Sequence, residues 1–374
     1  MRIGILTFHR ADNYGALLQT YALQTTLGNM GHAVDIIDYR CAPLELDYVR
    51  LYRLCPPLRR NLLLWGCEVW RRMMNFSCLH SKKEHCDNFR NEYLHMTKSL
   101  HSDTDRALAE NQYDVIFTGS DQIWSRVLTH GKDDWYAFKR RGNHCVVASY
   151  GASVGKLDRF AEHFEEYRAD LQNYDFLSVR EKDAQSYLAQ QLSKPVHRVI
   201  DPTLLVQGGV WRSLVEGQKG MDKPYILYYG VEPNEEASKI AMALAQQEKL
   251  PLVHFERVLK REKNTVYAQG AGPLEFLCLI RDAKYVVTSS FHGTVFSVLF
   301  QKQFAAVPHP VTGTRVRTLL QDMNLKNRLV ETYATFDRAK LDAPIDFEEI
   351  DKQIVQLQSK ARDYITQCID AYNG

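Results

Sequence analysis

The run Arg2-Ile3-Gly4-Ile5-Leu6-Thr7-Phe8 is short and apolar, and it breaks at His9-Arg10-Ala11-Asp12-Asn13-Tyr14-Gly15 before a helical stretch over residues 16–27. It reads as a buried strand. Asp12 or Asn13 is placed to cap the helix, because a short polar side chain can accept a bond from one of the first helical N–H groups. Gly28 and Gly31 end that helix, and Ala33-Val34-Asp35-Ile36-Ile37-Asp38-Tyr39 returns as a second strand. A β-α-β unit of this kind predicts a parallel, doubly wound sheet. The glycines do not make the dinucleotide fingerprint, since Gly4 lies inside the strand and only Gly15 in the turn, so no nicotinamide or flavin cofactor is expected.

The same alternation recurs outward from this unit. Tyr113-Asp114-Val115-Ile116-Phe117-Thr118 ends in Gly119-Ser120-Asp121-Gln122-Ile123-Trp124, Val146-Val147-Ala148-Ser149-Tyr150 in Gly151-Ala152-Ser153, and Phe176-Leu177-Ser178-Val179-Arg180 in Glu181 and a helix. Four strands thus carry polar groups at their carboxyl ends, where open α/β sheets hold ligands, which predicts a shared crevice. Asn13 and Tyr14 stand where a polar ligand meets the first strand, with a tight structural turn as an equal alternative. Arg180 offers paired N–H donors to a carboxylate or phosphate; the alternative is an ion pair with Glu181 or Asp183.

Val199-Ile200-Asp201-Pro202-Thr203 closes this half, and Gly208-Gly209 with the polar residues 216–223 reads as a connection between domains. The alternation then restarts, with a strand at residues 224–229, a helix at 235–247, a strand at 251–255 and a helix at 274–281 opened by Pro273. Tyr285-Val286-Val287-Thr288-Ser289-Ser290-Phe291-His292-Gly293-Thr294 follows: a strand, a polar turn and a helix expected from Val295 to Phe300. A histidine at a strand end can move protons near neutral pH, although a capping or buried histidine is the bland alternative. A short strand at residues 304–307, a basic turn with Arg315 and Arg317, and a long amphipathic helix at 347–369 complete the chain. The expected domains are residues 1–208 with a basic and apolar insertion at about 45–90, residues 222–345, and a C-terminal helix at 346–374 that crosses back to the first domain. Two Rossmann-like α/β domains facing across a cleft describe a GT-B-like fold.

Length and composition agree with an enzyme of two cores: 374 residues, 45% hydrophobic and 25% charged. A formal net charge of +2 argues against a nucleic-acid binder. Met1-Arg2 leads directly into a strand, and no run approaches the ~20 apolar residues of a membrane span, so a cytoplasmic location is expected. The eight cysteines at positions 41, 55, 67, 78, 86, 145, 278 and 368 form no Cys-x-x-Cys pair, which predicts reduced thiols and no metal. Residues 50–72 set Arg50, Arg53, Arg59, Arg60, Arg71 and Arg72 among Leu62-Leu63-Leu64-Trp65 and Trp70. That mixture suits either an anionic lipid surface, hence contact with the inner face of the plasma membrane, or a helical hairpin packed on the domain.

The motifs Asn13-Tyr14-Gly15-Ala16, Gly119-Ser120-Asp121-Gln122-Ile123-Trp124, Ser178-Val179-Arg180-Glu181, Asp201-Pro202-Thr203 and Ser289-Ser290-Phe291-His292-Gly293-Thr294, in this order, resemble the polysaccharide pyruvyl transferase family. The resemblance implies transfer of the pyruvyl group of phosphoenolpyruvate onto a sugar of a bacterial capsule, exopolysaccharide or cell-wall precursor, as a ketal, with release of phosphate and no other cofactor. It places the family histidine on His292 as general acid or base, and the arginine of the Ser-x-Arg motif on Arg180. Members carry an arginine two positions before the histidine, where this chain has Ser290. The donor is then expected to be held by Ser289, Ser290, the N–H groups of Gly293 and Thr294, and Arg315 or Arg317. Asn13, Tyr14, Asp121 and Gln122 are assigned to the sugar acceptor, with helix capping as an equal alternative for Asn13 and Asp121, and Glu275 is a weaker candidate that also suits a structural salt bridge. If the acceptor is carried on a polyprenyl diphosphate, residues 50–72 would dock the enzyme at the membrane. Two alternatives stand beside this reading: a GT-B nucleotide-sugar glycosyltransferase, and a non-catalytic carbohydrate-binding relative.

Overall fold

The structure, a computed structural model, describes residues 1–40, 76–100, 111–125, 128, 145–231, 233–255, 263–308 and 313–373. The basic and apolar stretch at 50–72 lies outside the described residues, as do Cys41, Cys55 and Cys67. The chain divides into two compact units. The first holds residues 1–45, 90–207 and 348–374, and the second residues 46–89 and 208–347.

In the first unit, β1 (Arg2–Leu6) pairs in parallel with β2 (Ala33–Ile36) on one side and β3 (Val115–Thr118) on the other, and β4 (Val146–Ser149) lies beyond β3. Single bridges from Ala148 to Phe176 and from Ala152 to Val179 continue the layer into β5 (Leu177–Val179) and β6 (Val196–Arg198). The order β2-β1-β3-β4 reverses direction between β1 and β3, which is the topological switch point of a doubly wound sheet. β3 and β4 are buried at every position, as expected for parallel strands covered on both faces. The helix Tyr14–Asn29 starts two residues earlier than its periodicity suggests, because the Asn13 side chain accepts from Ala16 N at 3.2 Å. The C-terminal helix, Phe347–Asn373, belongs to this unit. Gln358 Nε2 donates to Leu204 O at 2.7 Å, and the buried Tyr364 hydroxyl donates to Ser149 O at 2.8 Å.

The second unit contains β7 (Ile226–Tyr229), β8 (Leu252–His254), β9 (Thr265–Tyr267), β10 (Tyr285–Thr288) and β11 (Gln303–Ala306), all parallel in the order β11-β10-β7-β8-β9. Counted within the unit this is the Rossmann order, with its switch point between β7 and β10. Helices Glu235–Glu248 and Pro273–Asp282 carry Ile240, Leu244, Phe276, Leu277 and Ile280 into its interior. Gly208-Gly209, expected as part of a connection between domains, stand where the second unit resumes after Gln207 and open a helix, Gly208–Leu214.

No helix among the described residues is long and apolar enough to cross a membrane.

Candidate active site

At the switch point of the second unit, β10 ends in Thr288, whose buried hydroxyl donates to Tyr229 O of β7 at 2.7 Å and accepts from Ser290 N at 3.1 Å. The Ser289 N–H donates to Tyr229 O at 3.1 Å, so the two strand ends are tied together where the sheet changes direction. Ser290 then caps the helix Phe291–Leu299, its side chain accepting from Gly293 N at 3.4 Å. This helix begins four residues earlier than expected, and His292 lies in its first turn, 8% exposed.

Three of the proposed donor contacts are changed by this geometry. Gly293 N–H is directed at Ser290 Oγ, Thr294 N–H donates to Ser290 O at 3.0 Å, and the fully buried Thr294 hydroxyl donates to the same carbonyl at 2.9 Å. Ser290, Gly293 and Thr294 therefore build the turn, because each has a bonding partner within it. Gly293 is also required sterically: a Cβ there would stand 2.2 Å from Thr288 Oγ1 and 2.9 Å from Tyr229 Cδ1. Ser289 remains half-buried at the strand end.

The two arginines expected in a basic turn lie in the first turn of a helix, Thr314–Asp322. Arg317 leaves the donor group, because its guanidinium pairs with Glu331, Nη2 to Oε2 at 2.6 Å. Arg315 stands with its guanidinium carbon 5.9 Å from the centroid of the Phe291 ring, beside His292. Glu275 is 47% exposed and bonds Gly272 N at 2.9 Å, with His85 Nδ1 at 3.7 Å. It closes the start of its own helix, which is the structural duty rather than an acceptor contact.

In the first unit, the Ser-x-Arg, Gly-Ser-Asp-Gln and Asp-Pro-Thr motifs converge. Arg180 is 7% exposed; its Nη1 pairs with the fully buried Asp201 side chain, and its Nη2 lies 3.7 Å from Asp121 Oδ1. Burial disfavours the guanidinium charge, but Asp201, Glu181 and Asp121 outweigh it and hold the group above its ordinary value. Asp201 is itself oriented by Thr203, accepting from its N–H at 3.0 Å and its hydroxyl at 2.6 Å. Arg180 Nη1 is thus taken by Asp201; neither sequence neighbour, Glu181 or Asp183, is its closest partner. Asp121, at φ 69°, keeps part of its carboxylate accessible, and Gln122 beside it is half-buried. Asn13 is used as the helix cap, and Tyr14 is buried in the first turn.

A buried network after β1 escaped the sequence reading. His9 Nε2 and Asp38 Oδ1 are 3.0 Å apart, Arg10 bonds both oxygens of Asp38, and Ser99 Oγ donates to Asp38 at 2.6 Å. Burial alone would raise the Asp38 carboxyl; the bonds from His9, Arg10 and Ser99 outweigh it and hold it far below the usual range. Arg90, 2% exposed, clamps the same loop through His9 O at 2.8 Å, Ala11 O at 3.1 Å and Asp12 Oδ1 at 2.5 Å. Only the mostly polar run 9–13 hinted at this, since its partners lie 28 to 81 positions away.

Among the described residues no disulfide is formed, and no group of three or more His, Cys, Asp or Glu suited to a metal ion occurs.

No curated protein matches the chain. Among solved structures, a Listeria monocytogenes protein assigned as a UDP-N-acetylglucosamine 2-epimerase aligns at 10% identity over 98% of this chain and 91% of its own, with a TM-score of 0.51. S. aureus MnaA, solved with UDP, aligns at 12% identity over 94% and 90%, also with a TM-score of 0.51. These likenesses show the fold, GT-B-like with two Rossmann-like α/β units. The profile of the family described as polysaccharide pyruvyl transferase matches residues 13–310, from Asn13 through Asp121 and Arg180 to His292, and the chain belongs to that family.

Proposed function

We propose that this transferase moves the pyruvyl group of phosphoenolpyruvate onto a sugar of a bacterial surface-polysaccharide precursor, forming a ketal and releasing phosphate. The observation that carries the reading is His292, set in the first helical turn beside the switch point of a family member's second unit. Protonation of the donor at C3 makes C2 electrophilic, and a sugar hydroxyl then adds to C2. Phosphate leaves, and a second hydroxyl closes the ketal. A group that gives and takes protons near neutral pH is needed at both ends of this sequence, and histidine fits that requirement. Asp121 and Gln122 are assigned to the sugar, since a carboxylate and an amide suit hydroxyl donors and acceptors. An acceptor carried on a polyprenyl diphosphate would bring the enzyme to the inner face of the membrane.

The test is incubation with phosphoenolpyruvate and lipid-linked oligosaccharide acceptors. Phosphate release and a product mass gain of ~70, the increment of a pyruvyl ketal, are expected. His292→Ala is expected to lose turnover by about 10²-fold or more; full turnover in that variant would remove His292 from the chemistry. Thermal stabilisation by UDP and not by phosphoenolpyruvate would favour a nucleotide-sugar reaction instead.

A further inference from the structure

At the β11 edge of the second unit's sheet, residues 327–330, 335–337 and 340–341 line a cavity of about 40 Å³ together with Phe304 and Ala305. That is several times the ~10–15 Å³ that one water needs. Asn327 and Lys340 in its wall are exposed, so it opens to solvent. The same wall contains Arg328, 1% exposed. Its Nη1 donates to Gln303 Oε1 at 3.0 Å and Leu341 O at 2.6 Å, its Nη2 donates to Ala343 O, and its Nε finds no acceptor. Every partner is a neutral oxygen. We propose that this cavity binds a phosphate group, free or carried on a small metabolite, with Arg328 as the buried counter-charge and Lys340 as the second cation.

The balance of charge carries the assignment. Burial holds the Arg328 guanidinium below its ordinary value, and Asp342 opposes only part of that effect. The Asp342 carboxylate is engaged elsewhere, by Arg338 Nε and the Tyr285 hydroxyl at 2.7 Å each. Asp337, the carboxylate in the described wall, caps its own short helix and accepts from Ala339 N at 2.9 Å. Among the described residues, neither Arg328 nor Lys340 has a carboxylate within ion-pair distance, and the Asn327 side chain forms no hydrogen bond. Neutral amide donors could serve the three oxygens that Arg328 meets, so those bonds alone do not account for a charge withdrawn from water. A buried charge without a counter-ion is costly, and an anion in the adjoining cavity supplies one. Phosphate suits this wall better than a halide, because its several oxygens accept charge-assisted bonds from more than one donor. The turn of His292 contributes nothing to the wall, so the site stands apart from the phosphoenolpyruvate reading.

Hydrogen exchange on the full chain, with inorganic phosphate replaced by chloride at equal ionic strength as the control, reads this cavity directly. Phosphate is expected to slow exchange of amides in residues 327–330 and 335–341 about tenfold or more relative to chloride. The protection is expected to persist in His292→Ala, which alters the candidate active site and not this wall. Glycerol phosphate in place of phosphate distinguishes the sources: protection by both supports a phosphorylated metabolite, and protection by phosphate alone supports the free ion. Lys340→Glu is expected to raise the Kd for phosphate about tenfold or more, and Lys340→Arg to keep it within about threefold. Arg328→Met is expected to abolish binding; if its melting curve shows that it does not fold, the exposed Lys340 variants still give the answer. Equal protection by chloride, absence of protection in these segments, or an unchanged Kd in Lys340→Glu overturns the inference.

Discussion

His254 shows how much one buried residue can govern. It ends β8 at 6% exposure, with the Tyr228 ring 4.6 Å away, and burial pushes its imidazole from 6.5 down to about 4. The folded state therefore binds fewer protons than the unfolded chain between about pH 4 and 6.5. Stability is full above 6.5 and falls as pH drops through that window, by up to about 1.4 kcal/mol per pH unit. His254→Leu is expected to flatten the dependence of the urea midpoint on pH there, and an unchanged slope would contradict the burial argument. Arg180 teaches a different lesson at the same scale. Its residue type announced an anion partner, and that was legible; the partner's identity was not, because Asp201 lies 21 positions away and reaches it only when β5 and β6 pair side by side.

At the scale of elements, most strands and helices follow from apolar runs and their stops. The missed strands are short edge pieces, and the expected basic turn is the start of a helix, Thr314–Asp322. Val196-His197-Arg198 and Thr265-Val266-Tyr267 are three-residue strands of mixed polarity, too brief to show a period. The helix of His292 begins early because Ser290 acts as its cap, and a serine followed by aromatic and imidazole side chains carries only half of the usual start signal. Docking of this helix against β10 depends on the absent side chain of Gly293. Gly293→Ala should cost about 2 kcal/mol, since either Thr288 or Tyr229 must move. Gly209→Ala, where a Cβ meets nothing within 4 Å, should leave the midpoint unchanged or raise it. Equal midpoints for the two variants would show that the close approach is not maintained in solution.

For the whole molecule, the chain order and the unit order differ. The last helix returns to the first unit, where Ala361 and Ile365 are fully buried and Tyr364 bonds Ser149. Removing residues 347–374 should speed amide exchange in β4, β5 and β6 by about tenfold or more, because part of their cover is lost, while β7 and β10 keep their protection. Unchanged exchange in β4 to β6 would mean that the helix is dispensable to that core.

Short-range chemistry was enough for the alternation of strands and helices and for the polar strand ends, because apolar period, capping residues and turn residues act over a few positions. Tertiary structure decided which polar groups are occupied: Arg180 by Asp201, Arg317 by Glu331, Gly293 by the Ser290 cap, and Arg315 by its place on Phe291. A partner is set by sheet order and by helix rotation, and a hydrophobic pattern specifies which face is buried without naming the charged group that will meet it.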